Sequence, residues 1–319
     1  MALDGEGHLN LPERARPSDK QRSVVVLGEC LVDVVDAPSG ISRHVGGAPA
    51  NVARGIARGG HDVVLVTCLG PDSEGRFAAA ELFRQGVRVA KESHRPFSTP
   101  TSTIRIDRNG HMDHEIRFDA GWSIEVPPMH ESQLVHTGSA ALFDSRVGDA
   151  MLRAATRTRP LLTVDPNVRP GATYDQQLVA RFEAAAAIAT IIKLSDEDAQ
   201  ILYPKWTVDQ ILDRMRGLGA TVTVVTHGRN GAVGVGPSGR FKVPGYRVHE
   251  IDTVGAGDAY MASLILSLLD EPTDFGSAAW MTSAMIRASA AGALAVTVRG
   301  SQPPTRDELD SFLHDHGPV

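Results

Sequence analysis

Cysteine is nearly absent: Cys30 and Cys68 are the only two in 319 residues. That scarcity excludes a disulfide framework. Each follows or ends an apolar run, so both read as buried thiols. No apolar run approaches the ~20 residues of a membrane-spanning helix, so no membrane is expected as a partner. Positive charge is not in excess: 32 Lys and Arg against 38 Asp and Glu leave a net charge of −6. No electrostatic footprint for nucleic acid or an anionic membrane remains. The first 22 residues are polar and lack the apolar stretch of a secretory signal. They read as a mobile N-terminal extension on a cytoplasmic protein. Repeats are absent, and composition is biased only toward alanine. What is present is ordinary for a globular protein, with 42% hydrophobic and 22% charged residues. The length allows one or two domains with a large core.

Short apolar runs alternate with helical patterns. Strands are predicted at 23–28, 62–67, 134–138, 161–165, 191–194 and 221–226. Helices are predicted from Pro49, and over 74–85, 146–156, 176–187 and 208–217, with further helix from Phe275 to Leu294 and over 305–314. Buried strands separated by helices imply a parallel sheet covered on both faces, with ligands beyond the carboxyl ends of its strands. Two segments break this rhythm. Residues 102–119 alternate apolar and polar around Asn109-Gly110, a hairpin signal. Leu31–Asp36 and Ile41–Val45 read as a smaller strand pair. Together they predict a small antiparallel β unit, unless each is an ordinary hairpin at the sheet edge.

The densest motif is Asp252-Thr253-Val254-Gly255-Ala256-Gly257-Asp258-Ala259. Gly255, Ala256 and Gly257 let backbone approach another molecule closely. Met261, Leu264, Ile265 and Leu268 then recur on one helical face. The glycines therefore sit at a helix N-terminus, where free N–H groups favour an anion. Asp258, inside that positive end, suits a base that takes a proton as negative charge builds beside it. Read alone, the motif is also a Gly-rich turn with an Asp stabilising the helix dipole. A second motif, Gly46-Gly47-Ala48-Pro49-Ala50-Asn51-Val52-Ala53, opens another helix. Pro49 suits its first turn, and the paired glycines suit a hinge; alone it could be a simple strand–turn–helix link.

Both motifs, in this order, closely resemble the two signatures of the ribokinase-like (PfkB) carbohydrate kinases, nearest to the fructokinase-like branch. The resemblance covers nearly the whole chain after residue 22. It implies an α/β fold, with a central mostly parallel sheet covered by helices on both faces. It also implies one domain over 23–319 with a β-strand lid from about 31–45 and 97–120. The implied activity is transfer of the ATP γ-phosphoryl group to a primary hydroxyl of a small sugar, with fructose first and 2-keto-3-deoxygluconate, ribose and nucleosides as alternatives. A non-catalytic sugar or nucleotide sensor on the same scaffold is the reading from another class.

Roles carry over residue by residue. Asp258 becomes the base, and Gly255, Ala256 and Gly257 the anion hole. Gly46 and Gly47 fall at the lid hinge, and Asn51 and Asp33 on the sugar. A carboxylate such as Asp33 accepts from two adjacent hydroxyls. Asp165-Pro166-Asn167-Val168-Arg169-Pro170 resembles a fructokinase and ketodeoxygluconate kinase element. By its own chemistry Arg169 could hold a phosphate or an anionic substrate group, unless it is a solvated turn residue. Lys193 and Ser195 fall beside the nucleotide. Asp198, three residues after Ser195, either organises Mg²⁺ waters or completes a helix cap. Thr226, Gly228 and Gly231 match a nucleotide loop. Asp252, the Val254 carbonyl and Ser301 match a K⁺ site, although Asp252 could equally be a turn carboxylate. A homodimer is a further implication. Two other patterns carry no site. Gly234–Gly239 matches Gly-x-Gly-x-x-Gly but is followed by a strand, which predicts a hairpin. His111 and His114 fall on opposite faces of a strand and would not share a metal.

Overall fold

The computed structural model describes residues 23–38, 40–106, 112–168 and 175–317. The N-terminal extension, the Asn109-Gly110 turn with His111, and Arg169 lie outside the described residues. In chain order, β1 (Val24–Leu27) leads into β2 (Leu31–Ala37) and β3 (Gly40–Gly46), then α1 (Ala48–Arg58) and β4 (Val63–Val66). Next come α2 (Ser73–Arg84), β5 (Val87–Val89), β6 (Thr101–Ile106) and β7 (Met112–Arg117). β8 (Leu134–Gly138), α3 (Ser139–Phe143), α4 (Ser145–Thr158), β9 (Leu161–Asp165) and α5 (Gln176–Ala186) follow. Then come β10 (Ile191–Ser195), α6 (Asp196–Leu202), α7 (Val208–Leu218) and β11 (Val222–Thr226). The last elements are β12 (Ala232–Gly236), β13 (Gly239–Val243), α8 (Ala256–Asp270), α9 (Ala278–Ala295) and α10 (Arg306–His316).

Nine strands form one sheet in the order β13-β12-β11-β10-β9-β8-β1-β4-β5. From β11 to β5 every pairing is parallel. The expected Gly234–Gly239 turn joins antiparallel β12 and β13 at the edge. The apolar strands are explained by burial on both faces. Val24 and Val26 point into a core with Ile56 of α1, Met261 of α8 and Trp280 of α9. Val25 and Leu27 point into the opposite core, with Leu142, Met151, Phe182 and Met215. Helix starts follow their local chemistry. Ser195, Thr207 and Thr305 each cap a helix with a reciprocal bond from Asp198, Gln210 and Glu308.

Two features depart from the sequence reading. The motif helix α8 buries Ala259, Tyr260, Ala262 and Ser263 as well as the predicted face, because α1 and α9 enclose it. The small sheet, ordered β3-β2-β6-β7, is mixed. Its two hairpins are antiparallel as expected, but they join through parallel β2–β6 pairing. Cys30 and Cys68 are both free and buried, as expected. Among the described residues, no helix is long and apolar enough to cross a membrane.

Candidate active site

A cavity of about 1050 Å³ lies beyond the carboxyl ends of the central strands. One side is the small sheet, where side chains alternate in orientation along each strand. In cross-strand register, His44, Asp33, Ser102 and Ile116 form a row, and all four line the cavity. Beside that polar stretch stand Val35, Ile104 and Phe118. The Asp33 carboxylate lies against Gly46, where any side chain would collide with Asp33 Oδ2. Gly47 begins α1 at φ 99°, and a Cβ there would stand 2.6 Å from the Glu29 carbonyl oxygen. Gly47 is thus required by close backbone approach, and Gly46 by the Asp33 side chain packed against it.

The other side of the cavity is the start of α8. Gly255 is left-handed at φ 81°, and a side chain there would collide with Ser301. The intrahelical ladder begins with Ala259 N–H donating to the Gly255 carbonyl at 2.9 Å. The first-turn N–H groups of Gly257 and Asp258 fall outside it. Asn51 Nδ2 on α1 donates to Asp258 Oδ2 at 2.8 Å, joining the two sequence motifs directly. Behind it Arg54, only 7% exposed, donates through Nη1 to Asn51 Oδ1 at 3.1 Å and to the Val45 carbonyl at 3.2 Å. Its Nε donates to Gln85 Oε1. Arg54 therefore fixes which way the Asn51 amide faces, with the oxygen toward itself and the nitrogen toward Asp258.

A second cavity, of about 540 Å³, lies at the end of β11. Thr226, Gly228 and Gly231 line one side, and Ala256 and Gly292 another. The two cavities share Lys193, Ser195, Glu197, Thr253 and Gly257. At this junction a Cβ on Gly257 would stand 2.8 Å from Lys193 Nζ. Lys193 Nζ also donates to Asp165 Oδ2 at 2.9 Å, with both side chains 4% exposed. Burial pushes the Asp165 carboxyl up to about 7, outweighing the pull of Lys193. Burial pulls Lys193 down, but Asp165, Asp198 and Asp258 together hold its ammonium above the ordinary lysine value. Burial first, and Lys193 second, push His136 on β8 down to about 3. Lys193 is thus the cation and His136 a neutral ring at neutral pH.

The structure brings most of the sequence-predicted residues to these two cavities. Asp198 completes the helix cap: Oδ2 accepts from Ser195 N at 2.8 Å and Ser195 Oγ at 2.8 Å, and Oδ1 accepts from Val168 N at 2.6 Å. Glu197, which sequence reasoning passed over, has the carboxylate that lines both cavities. Asp252 accepts from Val254 N at 3.0 Å and from Gly300 N at 2.9 Å, so the loops carrying Val254 and Ser301 meet. Among the described residues, Ser301 Oγ is buried without a hydrogen-bond partner. Arg54 and the Asp165–Lys193 pair also escaped the sequence reading. A charged residue on the buried side of a helix was the available signal for Arg54.

Comparison with known proteins agrees with this architecture. Residues 21–308 match the pfkB family carbohydrate kinase profile. A fructokinase of Klebsiella pneumoniae is 31% identical over 306 residues, 90% of this chain and 98% of that one. The aminoimidazole riboside kinase of Salmonella typhimurium is 29% identical over 309 residues, 92% of this chain and 95% of that one. Among solved structures, a Vibrio cholerae O395 fructokinase double mutant, bound to fructose, ADP and potassium ion, is 27% identical. It superposes with a TM-score of 0.80 over 93% of this chain and 100% of that one. With the profile spanning both motifs and both sheets, the chain belongs to the pfkB family of carbohydrate kinases and is a phosphotransferase with an alcohol group as acceptor.

Proposed function

We propose that this enzyme transfers the γ-phosphoryl group of ATP to a primary hydroxyl of a small sugar, fructose first, with Asp258 as the base. The observation that carries the reading is the position of Asp258. It stands in the first turn of α8, bonded to Asn51, in the larger cavity beside the wall shared with the smaller one. The larger cavity takes the acceptor and the smaller one the nucleotide, along Thr226, Gly228 and Gly231. Asp258 takes the hydroxyl proton as the oxygen attacks in line. The N–H groups of Gly255, Ala256, Gly257 and Asp258, with the Lys193 ammonium against Gly257, balance negative charge on the phosphoryl group. Asn51 and Asp33 orient the sugar. Arg169 is assigned to the acceptor as well.

A divalent cation, Mg²⁺ in this reading, supplies charge neutralisation at the transferred phosphates. Among the described residues there is no group of three or more His, Cys, Asp or Glu side chains fit for a metal. The donors present suit an ion that keeps most of its waters and takes its other ligands from substrate phosphates. Glu197 would hold those waters, and Asp198, already engaged as a cap, would position Glu197 and Ser195. The unpartnered Ser301 oxygen, with Asp252 and the Val254 carbonyl, suits K⁺. The small sheet acts as a lid hinged at Gly46 and Gly47 that excludes water. A cytoplasmic homodimer completes the assignment.

One observation favours a second acceptor. Ile104, Ile116, Phe118 and Phe143 give the acceptor cavity an apolar side that a free hexose leaves uncovered. A riboside with a planar base, such as the substrate of the Salmonella typhimurium relative, would cover it. The test is ADP release from MgATP with fructose, aminoimidazole riboside, 2-keto-3-deoxygluconate, ribose and other nucleosides. Turnover on one acceptor, reduced about 10²–10⁴-fold in Asp258→Asn, is expected. Near-wild-type turnover in that variant would overturn the base assignment. Tight binding of sugar and nucleotide without turnover would favour the sensor.

A further inference from the structure

A third cavity, of about 320 Å³, lies among β3, α1, α2 and the segment Arg299–Gln302. It borders the acceptor cavity through His44, Val45, Arg299, Gly300 and Ser301 but has no lining residue in common with the nucleotide cavity. In a chain with a net charge of −6, its lining carries Arg43, Arg54, Arg58 and Arg299 against one carboxylate, Glu81. That carboxylate is already paired with Arg84. Arg58 is paired with Glu308 at 3.2 Å, and Arg43 stands 3.7 Å from Glu74. Arg54 and Arg299 have no carboxylate partner among the described residues.

The Arg54 guanidinium is the more telling of the two. Its Nε and Nη1 are spent on Gln85, the Val45 carbonyl and Asn51, all neutral, while Nη2 donates to nothing among the described residues. Asp258 opposes its charge only through space, with Asn51 between them, and burial still holds the guanidinium below the ordinary arginine value, so an anion at Nη2 would relieve the cost of burying it. The planar fork matches the oxygens of a tetrahedral oxyanion. We propose that this cavity binds a small oxyanion of the phosphate class, held by Arg54 and Arg299, with Arg43 and Arg58 adding positive charge. Through Arg54 and Asn51 its occupancy reaches Asp258, so the site is placed to modulate the reaction without touching the nucleotide.

The test is calorimetric titration of inorganic phosphate into the enzyme saturated with Mg²⁺ and a non-hydrolysable ATP analogue, which fills the phosphate positions at α8. One phosphate is expected to bind with a Kd on the order of 1 mM and to weaken about tenfold in Arg43→Gln/Arg58→Gln. Because Arg54 faces Asp258 through Asn51, Asp258→Asn should bind phosphate at least as tightly as the wild type while losing turnover, which separates this proposal from the kinase assignment. Fructose 6-phosphate serves as a second probe. Competition with free phosphate that keeps the arginine dependence would identify the anionic end of a sugar as the source of the oxyanion; no competition would identify the free ion. Should the double variant fail to fold, wild-type crystals soaked in selenate should show anomalous scattering beside Arg54. Phosphate binding unchanged by the substitutions, no binding at all, or no anomalous peak there would overturn the site.

Discussion

Asp258 and Asn51 are separated by 207 positions yet share a 2.8 Å hydrogen bond, and Arg54 decides the sense of that bond. A residue outside both motifs thereby acts on the proposed base. Arg54→Met should lower kcat roughly tenfold, a loss of about 1.4 kcal/mol of transition-state stabilisation. KM for ATP should stay unchanged, because Arg54 does not line the nucleotide cavity. An unaltered kcat in the folded variant would remove Arg54 from the positioning chain. The Asp165–Lys193 pair makes a pH prediction. The folded carboxyl is raised to about 7 from an ordinary value of 3.8, so the folded state holds the proton more tightly than the unfolded one. Its contribution to stability is therefore complete below 3.8 and is lost as pH rises through 7. Lys193, raised as well, keeps its own contribution until pH passes above 10.5. Denaturant unfolding between pH 4 and pH 7 should show the wild type losing stability relative to Asp165→Asn; parallel profiles would contradict this.

Elements turn these residues into a site by fixing where backbones touch. The two glycines before α1 do different work, and their substitutions should separate. At Gly47 the φ of 99° and the nearby Glu29 carbonyl make alanine a backbone problem, so Gly47→Ala should cost at least about 1 kcal/mol of stability and lower Tm. At Gly46 the obstacle is the Asp33 carboxylate, so Gly46→Ala should raise KM for the acceptor with a smaller change in Tm. Equal effects of the two on Tm and KM would refute the distinction. The elements themselves were readable in advance because period and capping are local. Every predicted strand of the large sheet is present, and Ser195 with Asp198 forms the anticipated cap. The enclosure of α8 by α1 and α9 was not readable, since an alanine-rich helix carries little contrast between its faces. The parallel joining of the hairpins was equally hidden. Nothing in either hairpin states which strand its outer edge will meet.

At the scale of the whole molecule, two cavities meet at Lys193 and Gly257, and the small sheet covers only the larger. Ligands that bind the folded state alone raise its stability by mass action, by about 2.7 kcal/mol at a hundredfold excess over Kd. MgATP and the acceptor should each raise Tm, and together raise it by at least the sum if closing the lid on the acceptor also tightens the nucleotide. A joint shift little greater than the larger of the two single shifts would mean that they compete for one cavity. Replacing K⁺ by a large organic cation should lower turnover if Ser301, Asp252 and Val254 hold the ion. Ser301→Ala should then lose that sensitivity while still folding.

The sequence by itself determined the alternation of buried strands and helices, the places where helices begin, and the two glycine motifs. Each depends on residues within a turn or two of one another. Tertiary structure alone decided that Asn51 bonds Asp258, that Asp165 and Lys193 pair in the interior, and that four arginines share one small cavity. Those contacts join segments far apart in the chain. A hydrogen bond or an ion pair has no periodicity to announce it, and its partner is chosen only when the sheet order and helix packing bring two distant segments within about 3 Å.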